Sequence, residues 1–233
     1  MIKINNITKK IKNKIILDEV TFEINERDVI GIIGENGSGK STLLKIILGL
    51  NKYDSGEIIY ENKDFNYFPD VSNMFTNVKP IEIIEHYCNL TNIKLKDIKT
   101  KINEVASYLN LNNLLNNNMK TLSTGEKKRV YMLIQLIIKK TIFFYDEPTD
   151  NLDEDYNKIF KNILSELINK GLTIVIVSHS YDFLERFINK LLVIKNTKVI
   201  NIKNYKKGDK IINHIKDDGI KEENFTNKSI IKW

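Results

Sequence analysis

Cysteine is almost missing: Cys88 is the only one in 233 residues, so no disulfide can form within the chain. That usage suits a reducing compartment, and a cytosolic setting is expected. Long apolar runs are missing too. The longest, 130–138, is about half of the roughly 20 residues that a membrane-crossing helix needs. The chain opens on an alternating strand pattern rather than on a secretory leader. Any work at a membrane would therefore need another chain to cross the bilayer. There is no internal repeat. Charge of one sign is not in large excess. The net charge of +6 is spread along the chain, which fits a solvated surface better than a nucleic-acid groove, so no nucleic-acid partner is expected. The same excess would suit a position at the anionic cytoplasmic face of a membrane.

What is present is enough apolar residue, 42%, for a true core. The length suits one domain with two lobes, or two small domains. Ile, Asn and Lys are used heavily, as AT-rich coding would produce. Clusters such as Asn116, Asn117 and Asn118 are discounted for that reason.

The most informative stretch is Gly34, Glu35, Asn36, Gly37, Ser38, Gly39, Lys40, Ser41. It fits the phosphate-loop pattern G-x-x-x-x-G-K-[S/T]. An apolar run of strand length, 28–33, precedes it, and 41–48 follows with helical spacing before Gly49. Glycines permit the tight turns and close approach that such a loop requires. Its N–H groups then converge on phosphate at a helix N-terminus. Lys40 adds a full charge for the β- and γ-phosphates, and Ser41 offers a hydroxyl to Mg²⁺. Alone, this predicts binding of a nucleoside triphosphate.

Strands are expected at 2–7, 20–24, 28–33, 57–60 and 65–68, with a basic hairpin loop at 9–14. A helical block follows from 81 to 115, broken near Thr91 and Asn92, then a helix at 127–139. Strands at 141–145 and 172–177 bracket an amphipathic helix at 153–169. A short helix at 181–187 and strands at 191–194 and 199–202 follow. The fold class is α/β: a phosphate-loop NTPase core with a parallel sheet, an inserted helical lobe and an N-terminal antiparallel β portion. The division expected is 1–203, with a core at 1–68 and 140–203 and the helical lobe at 80–139. The lysine-rich segment 204–233 is expected as a surface or disordered tail.

A second signal is the apolar strand ending in Asp146 and Glu147, closed by Pro148. Ligands of open parallel sheets sit at the carboxyl ends of strands. Asp146 is then placed to hold Mg²⁺, and Glu147 to polarise a water attacking the γ-phosphate. Without a cation, adjacent carboxylates about 4 Å apart would repel by roughly 4 kcal/mol at an effective dielectric of 20. One of only three histidines, His179, closes the next apolar strand and could donate to the γ-phosphate.

A fourth element is Leu122, Ser123, Thr124, Gly125, Glu126. Together with the phosphate loop, the Asp146–Glu147 strand and the His179 strand, it resembles the ATP-binding subunits of ABC transporters, over about 1–203. The stretch from Leu122 is similar to the family signature, usually L-S-G-G-Q, and 149–153 is similar to the D-loop, with Asp153. The resemblance implies ATP and Mg²⁺ as ligands, with Thr42 beside the loop. It implies a second ATP-binding subunit, expected as a second copy, whose Ser123, Thr124, Gly125 and Glu126 cover the ATP. It also implies a separate transmembrane subunit and a peripheral position at the cytoplasmic face of the cell membrane. Ser123 and Glu126 equally fit an ordinary helix capping box, and both readings can hold.

Two positions depart from the family. Ile11 stands where an aromatic residue usually stacks on adenine, at a loss of about 1 kcal/mol. Asp70 stands where glutamine usually reaches Mg²⁺ and the attacking water. Thr124 and Glu126 are similar to exporter-type signatures. Other readings are a soluble mechanical ATPase of the same family and a weakly hydrolysing regulator. The first is disfavoured by only about 80 residues between Ser41 and Leu122. The second is disfavoured by the presence of Lys40, Asp146, Glu147 and His179.

Overall fold

The structure is a computed structural model that describes residues 1–68, 77–91, 93–138, 140–149, 154–202 and 205–217. Two sheets form its frame. The first is antiparallel, in the order β2 (Lys14–Ile24), β1 (Ile2–Ile11), β4 (Ser55–Tyr60). The second holds six strands in the order β5 (Phe65–Phe68), β6 (Ile142–Asp146), β7 (Thr173–Val177), β3 (Val29–Gly34), β8 (Lys190–Lys195), β9 (Lys198–Ile202). All neighbours in it are parallel except β8 and β9.

Strands β3, β6 and β7 are buried at every residue, which is why they read as unbroken apolar runs rather than as alternation. The period of two is still there, sorted between two cores. Ile32, Phe144, Val175, Val177 and Leu192 face the antiparallel sheet and α1 (Lys40–Ile47). Tyr145, Ile174, Ile176 and Val193 face the opposite side, which is covered by helices. These are α2 (Pro80–Leu90), α3 (Leu95–Tyr108), α4 (Thr124–Ile137), α5 (Glu154–Asn169) and α6 (Tyr181–Glu185). The helical block thus lies between β5 and β6 in sequence, while those two strands pair directly (Phe65 with Ile142, Phe68 with Tyr145). The insertion leaves the sheet uninterrupted.

Two expectations change. The basic hairpin loop at 9–14 is mostly strand, and only Lys12 and Asn13 turn. Both have positive φ (46° and 65°), the backbone of the two-residue hairpin turn that matches strand twist. Second, the segment after β9 is not a free surface tail over 205–217. Tyr205, Ile211 and Ile215 are buried, and α7 (Ile211–Asp217) packs on α6. The polar composition hid this, because three well-spaced apolar residues are enough to dock a short helix. No described helix is long and apolar enough to cross a membrane.

Candidate functional site

The loop between β3 and α1 does what its glycines permit. Gly39 begins α1 with φ 105°, and a Cβ there would sit 3.1 Å from the Ile16 side chain. At Gly34 a Cβ would lie 2.7 Å from both the Ile194 carbonyl and Ser38 Oγ. The loop therefore curls tightly, and Lys40 spans it. Its ammonium donates to the carbonyls of Gly34 (2.8 Å) and Glu35 (2.9 Å) while only 6% of the residue is exposed. Ser38 Oγ is buried with no hydrogen-bond partner among the described residues. A buried hydroxyl left unpaired is costly, and an anion's oxygen is the partner that a loop of N–H groups would bring to it.

The carboxyl end of β6 delivers the two acidic residues to different tasks. Asp146, 4% exposed, accepts from the Ser41 hydroxyl at 3.0 Å. Ser41 and Asp146 thus present adjacent oxygens of the kind Mg²⁺ takes, and among the described residues no three His, Cys, Asp or Glu side chains converge to cage a metal. The pair fits a Mg²⁺ that draws its other oxygens from phosphate and water. Glu147 turns the other way. Its φ is 47°, a left-handed conformation that costs of order 1–3 kcal/mol in a non-glycine residue and clusters at functional sites. Its N–H donates to Val177 O at 3.0 Å, across to β7. Its carboxylate meets His179 twice, with His179 Nε2 3.0 Å from Oε1 and the His179 N–H donating to Oε2 at 3.3 Å.

A cleft of about 490 Å³ joins these groups, lined by Ile11, Ile16, Asn36, Gly37, Gly39, Lys40, Ser41, Thr42, Glu147 and His179. Gly34, Glu35 and Ser38 belong to the same loop without lining the cleft. Ser123, Thr124, Gly125 and Glu126 do not line it. They form the start of α4, where Ser123 Oγ accepts from the Glu126 N–H (3.2 Å) and Glu126 Oε2 accepts from the Ser123 N–H (2.7 Å). The capping box is real, and it spends only the acceptor side of the Ser123 hydroxyl. Asp70 and Asp153 lie outside the described residues.

Sequence reasoning missed Ile16, which shares the hydrophobic end of the cleft with Ile11. It also missed Lys128. This residue is 3% exposed, and its ammonium donates to the Glu147 carbonyl at 3.2 Å. The available signal was helical spacing, since Lys128, Tyr131 and Gln135 fall on one stripe of α4 and all three are buried.

A parallel sheet with a phosphate loop, a hydroxyl–carboxylate pair and a carboxylate–imidazole pair at its carboxyl edge defines a phosphate-loop nucleoside triphosphatase. The comparisons narrow this. The family model described as "ABC transporter" matches residues 17–150. An uncharacterized ABC transporter ATP-binding protein, MJ1023 of Methanocaldococcus jannaschii, is 28% identical over 86% of this chain and 76% of its own length. The molybdate/tungstate import ATP-binding protein WtpC of the same organism is 35% identical over 77% of this chain, which spans only 62% of that relative. The ADP conformation of MJ1267, an ATP-binding cassette of an ABC transporter, superposes with a TM-score of 0.74 at 26% identity, covering 94% of this chain and 96% of that one. The chain belongs to the ABC transporter family, as an ATP-binding and ATP-hydrolysing subunit.

Proposed function

We propose that the protein binds MgATP in this cleft, hydrolyses it with Glu147 and His179, and completes the site by pairing with a second copy of itself. The observation that carries the reading is the composition of the cleft. It gathers Lys40, Ser41, Glu147 and His179 but none of Ser123 to Glu126. The loop N–H groups and Lys40 hold the phosphates, with Ile11 and Ile16 under the base. Ser41 and Asp146 hold Mg²⁺, which supplies neutralising charge on the phosphate oxygens. Glu147 takes up the position from which a carboxylate accepts a proton of the attacking water. His179 fixes the direction of that carboxylate and presents its ring to the cleft. A second subunit, head to tail, brings Ser123 and the N–H groups at the start of its α4 to the same phosphates.

A separate transmembrane subunit would dock beside the helical lobe. There a groove of about 440 Å³ is lined by Leu50, Phe65, Tyr67, Tyr87, Leu90 and Tyr131, among others. Leu50 and Leu90 are 61% and 66% exposed, an open apolar pair of the kind that marks a binding groove. Burial, and then Tyr87, pushes the Tyr131 phenol well above its ordinary pKa, so that phenol stays neutral, while Lys63 and Lys140 bring positive charge to the same groove. Docking there places the subunit at the cytoplasmic face of the membrane. The test is gel filtration of Glu147→Gln with and without MgATP. A dimer that requires ATP, and that Gly125→Asp removes, is expected. A monomer under all conditions, with phosphate release in the wild type, would refute the paired site.

A further inference from the structure

Among the described residues, Lys128 of the helical lobe reaches the site around Glu147. Lys128 sits on the second turn of α4, the helix that opens with Ser123, and donates to the backbone carbonyl of Glu147 at 3.2 Å. The N–H of the same residue donates to Val177 O at 3.0 Å. The peptide groups on both sides of Glu147 are therefore tied, one to β7 and one to α4, and the residue between them keeps φ at 47°. That dihedral sets where the side chain leaves the backbone. The carboxylate then meets His179 at 3.0 and 3.3 Å. An ammonium 3% exposed is an expensive way to fill space, because an apolar side chain of similar length would pack there without desolvation. What Lys offers and Met does not is an N–H donor.

We propose that Lys128 is a positioning residue for hydrolysis: it holds the Glu147 backbone so that the carboxylate points toward His179 and the cleft. The inference rests on the reading of Glu147 as the group that polarises water. It also gives α4 two roles in one rigid element. Its first turn would face the partner's ATP, while its second turn sets the carboxylate that acts on its own.

The test compares Lys128→Met, which keeps length and removes the donor, with Lys128→Arg, which restores one. In the first, kcat for phosphate release is expected to fall roughly ten- to hundred-fold, as a displacement of about 1 Å at a reacting group can cause. The KM for ATP and the affinity for a fluorescent ATP analogue should stay within about two-fold, the mark of an interaction used in the reaction rather than in binding. Lys128→Arg should recover most of kcat. The imidazole signals of His179 in a ¹H–¹⁵N spectrum, assigned against His86→Gln and His214→Gln, should move in Lys128→Met and return in Lys128→Arg. Wild-type kcat in Lys128→Met with unmoved His179 signals would overturn the proposal. So would parallel losses of kcat and ATP affinity, or an arginine variant as impaired as the methionine one. If Lys128→Met does not fold, Lys128→Leu, which also lacks a donor, carries the same expectations. A wild type that releases no phosphate would count against the hydrolytic reading, and the His179 signals would then decide on Lys128 alone.

Discussion

His179 and Glu147 are joined twice: the imidazole Nε2 lies 3.0 Å from one carboxylate oxygen, and the His179 N–H donates to the other at 3.3 Å. One contact depends on the side chain and one on the backbone, so substitutions separate them. His179→Ala removes the ring and leaves the N–H in place. Glu147 should then keep its approach to the cleft, and phosphate release should fall about 100-fold with ATP binding nearly unchanged. Glu147→Gln removes the basic oxygen itself and should fall at least as far. Single-turnover phosphate release, with ATP affinity measured separately, distinguishes the two. A His179→Ala variant that turns over at the wild-type rate would leave the ring without a part in the reaction.

The far end of the sheet provides a pH-dependent term that does not involve this chemistry. Asp64 precedes β5, and its carboxylate accepts from Lys140 Nζ (2.7 Å) and from the Thr141 N–H (3.0 Å). Burial pushes this carboxyl up, but the Lys140 and Thr141 contacts together outweigh it and hold it below the usual carboxylate range. A depressed value in the folded state means stability that is present above the unfolded value, about 3.9, and lost as pH falls through the folded one. Asp64→Asn should therefore destabilise the protein at pH 7, and the difference from wild type should shrink below about pH 4. Urea midpoints of both proteins across that range measure it. A difference that stays constant with pH would show that the pairing contributes nothing.

Most of the frame was legible because two periodicities and two stop signals agreed. Apolar runs ending in Gly34, Asp146 and His179 each lead from a strand to the same edge of one sheet, as the register of β6 and β7 with β3 requires. Pairing was less legible. Lys9 and Lys10 of β1 and Lys14 of β2 read as a loop because nothing in a run of lysines shows that they complete the β1–β2 ladder. The place of the candidate site at the sheet's edge was legible, and its supports were not. That Glu147 follows the end of β6 could be read from the sequence, whereas its positive φ and the Lys128 contact arise from tertiary packing, which spacing does not encode.

The segment after β9 carries its own prediction. Glu185 is 7% exposed, and its Oε1 accepts from the Ile211 N–H at 2.8 Å while Oε2 accepts from Lys210 at 2.7 Å. It closes the start of α7 from a different helix. Glu185→Ala leaves the Ile211 N–H unpaired in a buried position, at a cost of about 1–3 kcal/mol. For a chain of this size that is a fall in Tm of roughly 2–4 °C per kcal/mol. Glu185→Gln keeps an acceptor for that N–H and should lose less. Thermal unfolding of the two variants checks the order, and equal losses would mean that the backbone contact contributes little.

At the other end of the cleft, Ile11 stands 48% exposed at the tip of the β1–β2 hairpin, beside Ile16. An aliphatic surface can cover a base but does not stack on it as an aromatic ring does. Replacing Ile11 with Tyr changes neither the phosphate loop nor the backbone of the two-residue turn that follows. It should add about 1 kcal/mol of stacking, or roughly five-fold in ATP affinity. Hydrolysis of bound ATP should not change, because Lys40, Ser41 and Glu147 are untouched. Titration of wild type and Ile11→Tyr with ATP and with inorganic triphosphate decides the point. The gain should appear for ATP and vanish for triphosphate, which has no base to stack. An equal gain for both ligands would place the effect in the loop rather than under the base.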